Sequence, residues 1–264
     1  MFQGSMVALV TPMKSDGSID RESLHNLVEW HIEQKTQGLI IAGTTGEGST
    51  LTQSEQFELV ASVVKQVANR IPVIAGTGSN STDHTIELTQ AAKKAGVDGC
   101  LIVTPYYNKP TQHGLYEHYK KVAEAVAIPI VLYNVPGRTA VDLLPETIAR
   151  LAPFSNIVGV KEATGKLERV QEILNHCDKS FSILSGDDAT AMDLMLLGGH
   201  GVISVTANVA PYKMNLMCEA ALAKNKAAAL NINAELMPLH CKLFLEANPI
   251  PVKWAAHQMG LIPA

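Results

Sequence analysis

The sequence predicts an α/β chain closed into a (β/α)8 TIM barrel with a short helical C-terminal extension, and three observations predict it. Eight short β-rich runs recur, amphipathic segments separate them, and the runs are apolar on both faces instead of alternating. Strands of that kind are buried on both sides, as in a parallel sheet covered by helices. A doubly wound open sheet is the runner-up, but the first βα turn has no GxGxxG and eight equal repeats suit closure better.

In order, the runs are MVALV (6–10), GLIIAG (38–43), PVIAG (72–76), CLIVT (100–104), PIVLYN (129–134), IVGVK (157–161), FSILSG (181–186) and GVISV (201–205). After the first, Leu24, Leu27, Val28 and Ile32 recur at helical spacing, and after the second Phe57, Val60, Val64 and Val67 do the same. Asp20 is placed to cap the earlier helix, and Thr52 with Glu55 has capping-box spacing at the later one. Residues 1–225 hold the eight units of a catalytic barrel domain. Residues 226–264 contain no strand run and form the expected helical extension.

The chain has 264 residues, 47% hydrophobic and 17% charged, enough for one substantial core. A net charge of -4 leaves no basic footprint for nucleic acid or an anionic membrane, so small molecules are the expected partners. Cys100, Cys177, Cys218 and Cys241 are widely spaced and form no CxxC, which suits a reducing cytoplasm better than a disulfide framework or a zinc knuckle. The N-terminal MFQGSMVALVTP lacks the basic region and long apolar core of a signal peptide, and no run reaches the ~18 apolar residues of a membrane span.

On a barrel of this kind the chemistry sits at the C-terminal ends of the strands, and the polar residues gather there. Lys161 directly follows IVGV. Burying an unpaired ammonium is costly enough that the group reaches water, finds a partner or sheds its proton. At a barrel mouth the amine can serve as a nucleophile toward carbonyl carbon, whereas a solvated strand end or a partner for Glu162 is the plainer reading. Tyr133, ending the fifth run, can exchange protons with an intermediate on Lys161 or can simply pack at the rim. Arg138 in VPGRT can fork onto a substrate carboxylate or stand exposed.

The GTTGEGST turn at 43–50 offers two hydroxyls and backbone N–H groups close to an anion, but it lacks a Walker lysine and can be only a turn. The nine histidines show neither HxH nor HExxH, so no metal site is expected. SGDD after the seventh run sets two carboxylates where many barrels bind phosphate, which favours a carboxylate-bearing, unphosphorylated substrate. A lysine, a tyrosine and an arginine at one mouth suggest Schiff-base carbon–carbon chemistry on a keto acid.

GTTGE (43–47), TPYYNKP (104–110), YNVPGRT (133–139), GVKEATG (159–165) and SGDD (185–188), in that order along almost the whole chain, resemble the dihydrodipicolinate synthase family. The resemblance implies that pyruvate condenses with Lys161, becomes an enamine and attacks L-aspartate 4-semialdehyde, giving 4-hydroxy-tetrahydrodipicolinate, the first committed step toward diaminopimelate and lysine. It implies no cofactor. It makes Tyr133 the proton donor and acceptor, relayed through Thr44 and Tyr107 of the partner subunit. It gives pyruvate to Thr45 and the Ile203 backbone, the semialdehyde carboxylate to Arg138, and space with a backbone carbonyl beside the imine to Gly186. A shared Tyr107 implies at least a dimer, and the family is usually a homotetramer built as a dimer of dimers.

Two departures from the family pattern carry expectations. Asn80 and Tyr106 match the family's lysine-inhibition site, but His84 stands where inhibited members carry glutamate, and Gln53 and Gln56 stand where histidines are common. A neutral imidazole does not replace a glutamate's charge on a ligand ammonium, so weak or absent lysine feedback is expected. Family members also continue through a further helix past NPIPVKWAAHQMGLIPA. Sister aldolases such as N-acetylneuraminate lyase or a keto-deoxy sugar-acid aldolase share the lysine and tyrosine, while the second threonine of GTTGE and Arg138 resemble the synthase. A non-catalytic barrel that binds a keto acid is a further alternative, though it needs no proton relay.

Overall fold

The computed structural model describes residues 2–263. Eight parallel strands close in chain order: β1 (Gly4–Ala8), β2 (Leu39–Ile41), β3 (Val73–Gly76), β4 (Gly99–Val103), β5 (Ile130–Asn134), β6 (Ile157–Glu162), β7 (Ser182–Ser185) and β8 (Gly201–Ser204). β8 pairs back to β1, from Gly4 with Gly201 to Val7 with Ser204. The predicted barrel is therefore the observed one. β1 begins and ends two residues before the run MVALV.

The strands read as apolar throughout because each lies between two cores. Met6, Ala8, Ile40, Ile74, Leu101 and Val131 point into the lumen, where they meet one another. Their neighbours Val7, Leu39, Ile41, Ile102 and Leu132 point outward and pack under the helices. Burying both faces leaves no polar side for solvent, and alternation is lost from the sequence.

The helices are α1 (Arg21–Glu33), α2 (Gln53–Val67), α3 (Thr82–Ala95), α4 (Gln112–Ala125), α5 (Pro136–Thr139), α6 (Pro145–Leu151), α7 (Glu168–His176), α8 (Ala191–Leu196), α9 (Pro211–Leu222), α10 (Lys226–Lys242) and α11 (Ile250–Gln258). Asp20 caps α1 by accepting from the backbone N–H groups of Glu22 and Ser23. Thr52 and Glu55 form the full capping box on α2, with Thr52 N donating to Glu55 Oε2 at 2.8 Å.

The buried stripes of these two helices differ in detail from the sequence reading. In α1, Ile32 is half-buried and His31 is fully buried in its place; in α2, Gln56, Leu59 and Val63 are buried while Phe57 and Val64 are half-buried. The cause is hydrogen bonding that hydrophobicity does not register. His31 Nδ1 meets Thr36 Oγ1 at 3.0 Å, and Gln56 Nε2 donates to Gly76 O at 2.7 Å, so both polar side chains are tied down inside. Beyond β8, α9 packs on β1, α10 packs on α8 and α9, and α11 reaches the 3-10 turn Thr206–Asn208.

Candidate active site

Tyr133 and Lys161 are direct register partners on the adjacent strands β5 and β6. Lys161 is only 5% exposed, and its Nζ lies 4.2 Å from the centroid of the Tyr133 ring. The cation–ring contact gives a buried ammonium an electrostatic partner without fixing its protons in a hydrogen bond.

A register shift creates this pairing. Ile130 pairs with Ile157, but Val131 pairs with Gly159, so β6 holds one extra residue at Val158. Without it, register counting from Ile157 would set Lys161 opposite Asn134, on the helix side of the wall. The extra residue reverses the facing of everything after it and brings Lys161 into the lumen. Gly159 accommodates the bulge, since a Cβ there would sit 2.4 Å from Ser182 O.

A cavity of about 320 Å³ opens beside the pair, and Thr44, Tyr106, Tyr133, Arg138 and His84 all line it. The GTTGEGST turn folds back over the end of β2 to make one wall, and Gly48 is required there because a Cβ would lie 2.0 Å from Ala42 O. Gly186 packs against the lysine stem: an added Cβ would lie 2.9 Å from Lys161 Cε and 2.6 Å from the Ala163 Cβ. Ile203 is buried in the lumen cluster with Tyr133.

Thr45, Tyr107 and Asn80 lie off the cavity wall. Thr45 is buried, and its Oγ1 accepts from Asn248 Nδ2 at 2.9 Å. Tyr107 stands 89% exposed on a backbone with φ 73, a left-handed conformation rare for a bulky residue. Asn80 offers its carbonyl to Asn108 Nδ2 at 3.1 Å, and His84 Nδ1 lies 3.3 Å from Glu87 Oε2.

Asn248 was not visible in the sequence reading, yet it ties two loops of the mouth together. Its side chain holds Thr45 and its carbonyl accepts from Arg138 Nη2 at 2.9 Å, while nearby Lys253 pairs with Glu47 at 2.7 Å. No short-range signal could have found it, because Asn248 and Thr45 are 203 residues apart.

Buried thiols and imidazoles elsewhere are held neutral. Burial pushes the Cys100 thiol up to about 12 and the Cys177 thiol up to about 11, so neither supplies a thiolate near neutrality. Burial lowers His31 to about 3 and His118 to about 4. Among the described residues, no group of three or more His, Cys, Asp or Glu is placed to hold a metal ion. No described helix is long and apolar enough to cross a membrane.

The architecture is that of a (β/α)8-barrel enzyme with a lysine in its mouth. The chain belongs to the dihydrodipicolinate synthetase family, whose sequence model matches residues 1–264. It is 62% identical over 263 residues to the 4-hydroxy-tetrahydrodipicolinate synthase of Thioalkalivibrio sulfidiphilus, covering 100% of this chain and 90% of the relative. The synthase of Pseudomonas aeruginosa is 58% identical over 263 residues, with the same coverage of both chains. Among solved structures, the chloride-inhibited dihydrodipicolinate synthase of Acinetobacter baumannii, complexed with pyruvate, superposes with a TM-score of 0.98 at 55% identity, covering 99% of this chain and 90% of that one.

Proposed function

We infer that the chain condenses pyruvate with L-aspartate 4-semialdehyde to give 4-hydroxy-tetrahydrodipicolinate, on the way to diaminopimelate and lysine. The observation that carries this reading is the buried Lys161 set 4.2 Å over the Tyr133 ring at the mouth of the barrel. The Lys161 amine adds to the pyruvate ketone, and one water leaves as the imine forms. Loss of a methyl proton gives the enamine, whose carbon attacks the semialdehyde's aldehyde carbon while the aldehyde oxygen takes up a proton. The substrate's own amine then adds to the imine carbon, closes the ring and releases Lys161.

Tyr133 moves the protons, with Thr44 and the partner subunit's Tyr107 continuing the relay. The exposure of Tyr107 supports a role outside its own subunit, because a ring held almost wholly in solvent contributes little to its own fold. The chain accordingly works as a homo-oligomer, a dimer of dimers. Thr45 and the Ile203 backbone hold pyruvate, Arg138 holds the semialdehyde carboxylate, and Gly186 leaves room beside the imine. Residues 1–225 carry the chemistry, and 226–264 brace the mouth through Asn248 and Lys253. The four cysteines, all free, suit a cytoplasmic location.

Incubation with pyruvate followed by borohydride reduction and peptide mass spectrometry is expected to place the adduct on Lys161. An unmodified Lys161 alongside full activity overturns the mechanism. Turnover of sialic acid, with no consumption of aspartate semialdehyde, would instead identify a sister aldolase.

A further inference from the structure

Behind the lumen pair lies a second pair. Asn134 and Glu162 follow Tyr133 and Lys161 in the chain, are themselves register partners, and point out of the lumen toward the helices. Asn134 Nδ2 donates to Glu162 Oε2 at 3.0 Å and to Asp142 Oδ1 at 2.9 Å, and Asn134 Oδ1 accepts from Leu143 N at 2.9 Å. Glu162 Oε1 accepts from Thr164 N at 2.8 Å. Arg169 on α7 forks onto both oxygens of Asp142, with Nη1 3.7 Å from Glu162 Oε2. Glu162, Asn134 and Arg169 are 3%, 0% and 8% exposed.

This clamp closes where the sheet ladder runs out. The last β5–β6 contact is Ala163 N donating to Asn134 O at 3.0 Å, after which β5 turns at Val135 into α5 and β6 leaves for a loop. Strand ends fray when nothing holds them. Here a buried carboxylate accepts from the end of β5 and from the loop that leaves β6, and it is matched by a guanidinium from the covering helix. Glutamine cannot take its place, because an ionised carboxylate accepts on both oxygens and an amide must turn N–H groups toward a donor.

We propose that Glu162 and Arg169 are positioning residues for the condensation: their clamp fixes the ends of β5 and β6, and so sets the reach between the Lys161 amine and Tyr133. Neither residue faces the lumen, and both act through the pair in front of them. The inference rests on Lys161 being the covalent centre. Proton transfer demands hydrogen-bond reach, so a displacement of about 1 Å at this rung lowers turnover by about 10- to 100-fold.

The test uses the full chain carrying Glu162→Gln, with Arg169→Lys as the second variant, since lysine keeps the charge but loses the fork. Melting by circular dichroism first establishes that each variant is folded at the assay temperature. The expected result is a drop in kcat of about tenfold or more, with pyruvate KM within about threefold, and an equal drop in the single-turnover rate at which borohydride traps the Lys161 imine. A merely structural role lowers the melting temperature and leaves both rates alone. A folded Glu162→Gln chain with wild-type kcat and trapping rate overturns the proposal, as does a kcat loss with an unchanged trapping rate. Should Glu162→Gln not fold, the same two outcomes are decided on Arg169→Lys. Absence of any adduct on Lys161 in the unsubstituted chain would mark failure of the Schiff-base reading itself, and the proposal falls with it.

Discussion

The β5–β6 edge of the mouth is tied by two carboxylates, a guanidinium and the three hydrogen bonds of one carboxamide, whereas the β2–β4 edge is shaped by glycines. On the first edge, Glu162, Asn134, Asp142 and Arg169 lock the strand ends from behind. On the second, Gly43, Gly48, Gly76 and Gly78 line the cavity, and at Gly48 and Gly76 an added Cβ would lie 2.0 Å and 2.5 Å from the Ala42 carbonyl. The tied edge carries the two groups that must hold a fixed separation, and the glycine edge makes the space a substrate needs. Pre-organisation is spent where a bond forms, and volume is left where a molecule enters.

Deleting Val158 is the severest test of the tied edge. It removes the bulge, turns Lys161 toward the helices and is expected to lower kcat/KM by about 10⁴-fold or more in a chain that still gives a barrel-like circular dichroism spectrum. Tyr133→Phe keeps the ring under Lys161 and removes only the hydroxyl. Its kcat is expected to fall by about 10²- to 10³-fold while borohydride still labels Lys161. Gly186→Ala presses a methyl group on Lys161 Cε, and kcat for the condensation should drop about tenfold with pyruvate affinity reduced as well.

A smaller effect sharpens the contrast by pH. The helices beside the glycine edge bury neutral histidines: His31 on α1, and His118 on α4, whose Nδ1 lies 2.9 Å from Thr82 Oγ1 on α3. Both folded values, about 3 and about 4, lie below the ordinary 6.5, because burial disfavours the charged ring. The unfolded chain therefore binds more protons, so stability is full above pH 6.5 and is lost as pH falls toward those values. Each ring removes about 1.4 kcal/mol per pH unit in that window. Thermal melts at pH 7 and pH 5 should show it, and hydrogen exchange at pH 5 should open α1, α3 and α4 before β5 and β6. The smallest expected change is at the outer end of the cavity. With His84 on that wall, L-lysine titrated to millimolar levels is expected to leave the rate nearly unchanged, and half-inhibition below that range would contradict it.

The eight strands, their closure and the caps on α1 and α2 were legible because each is written locally, in apolar runs and in a side chain within three residues of the N–H it receives. Lys161 and Tyr133 were legible as strand-end residues of the wrong polarity for a core. What escaped was set by distance. The bulge at Val158 depends on the register of β5, and Asp142 meets Arg169 across 27 residues. Strand alternation sends Glu162 away from Lys161, but no local pattern names Arg169 as its partner. His31 and Gln56 were missed on the helix faces for the related reason that a buried polar group is licensed by a partner elsewhere in space.

Seen as arithmetic, the chemistry of this barrel depends on whether a count is odd or even. A strand has only two faces, so adding or removing one residue upstream exchanges what lines the lumen with what clads it. Val158 is such a unit, and the lysine three places later inherits the lumen from it. New lumen residues in a barrel can thus arise by insertion alone, with every side chain already present in the ancestor and only its parity changed.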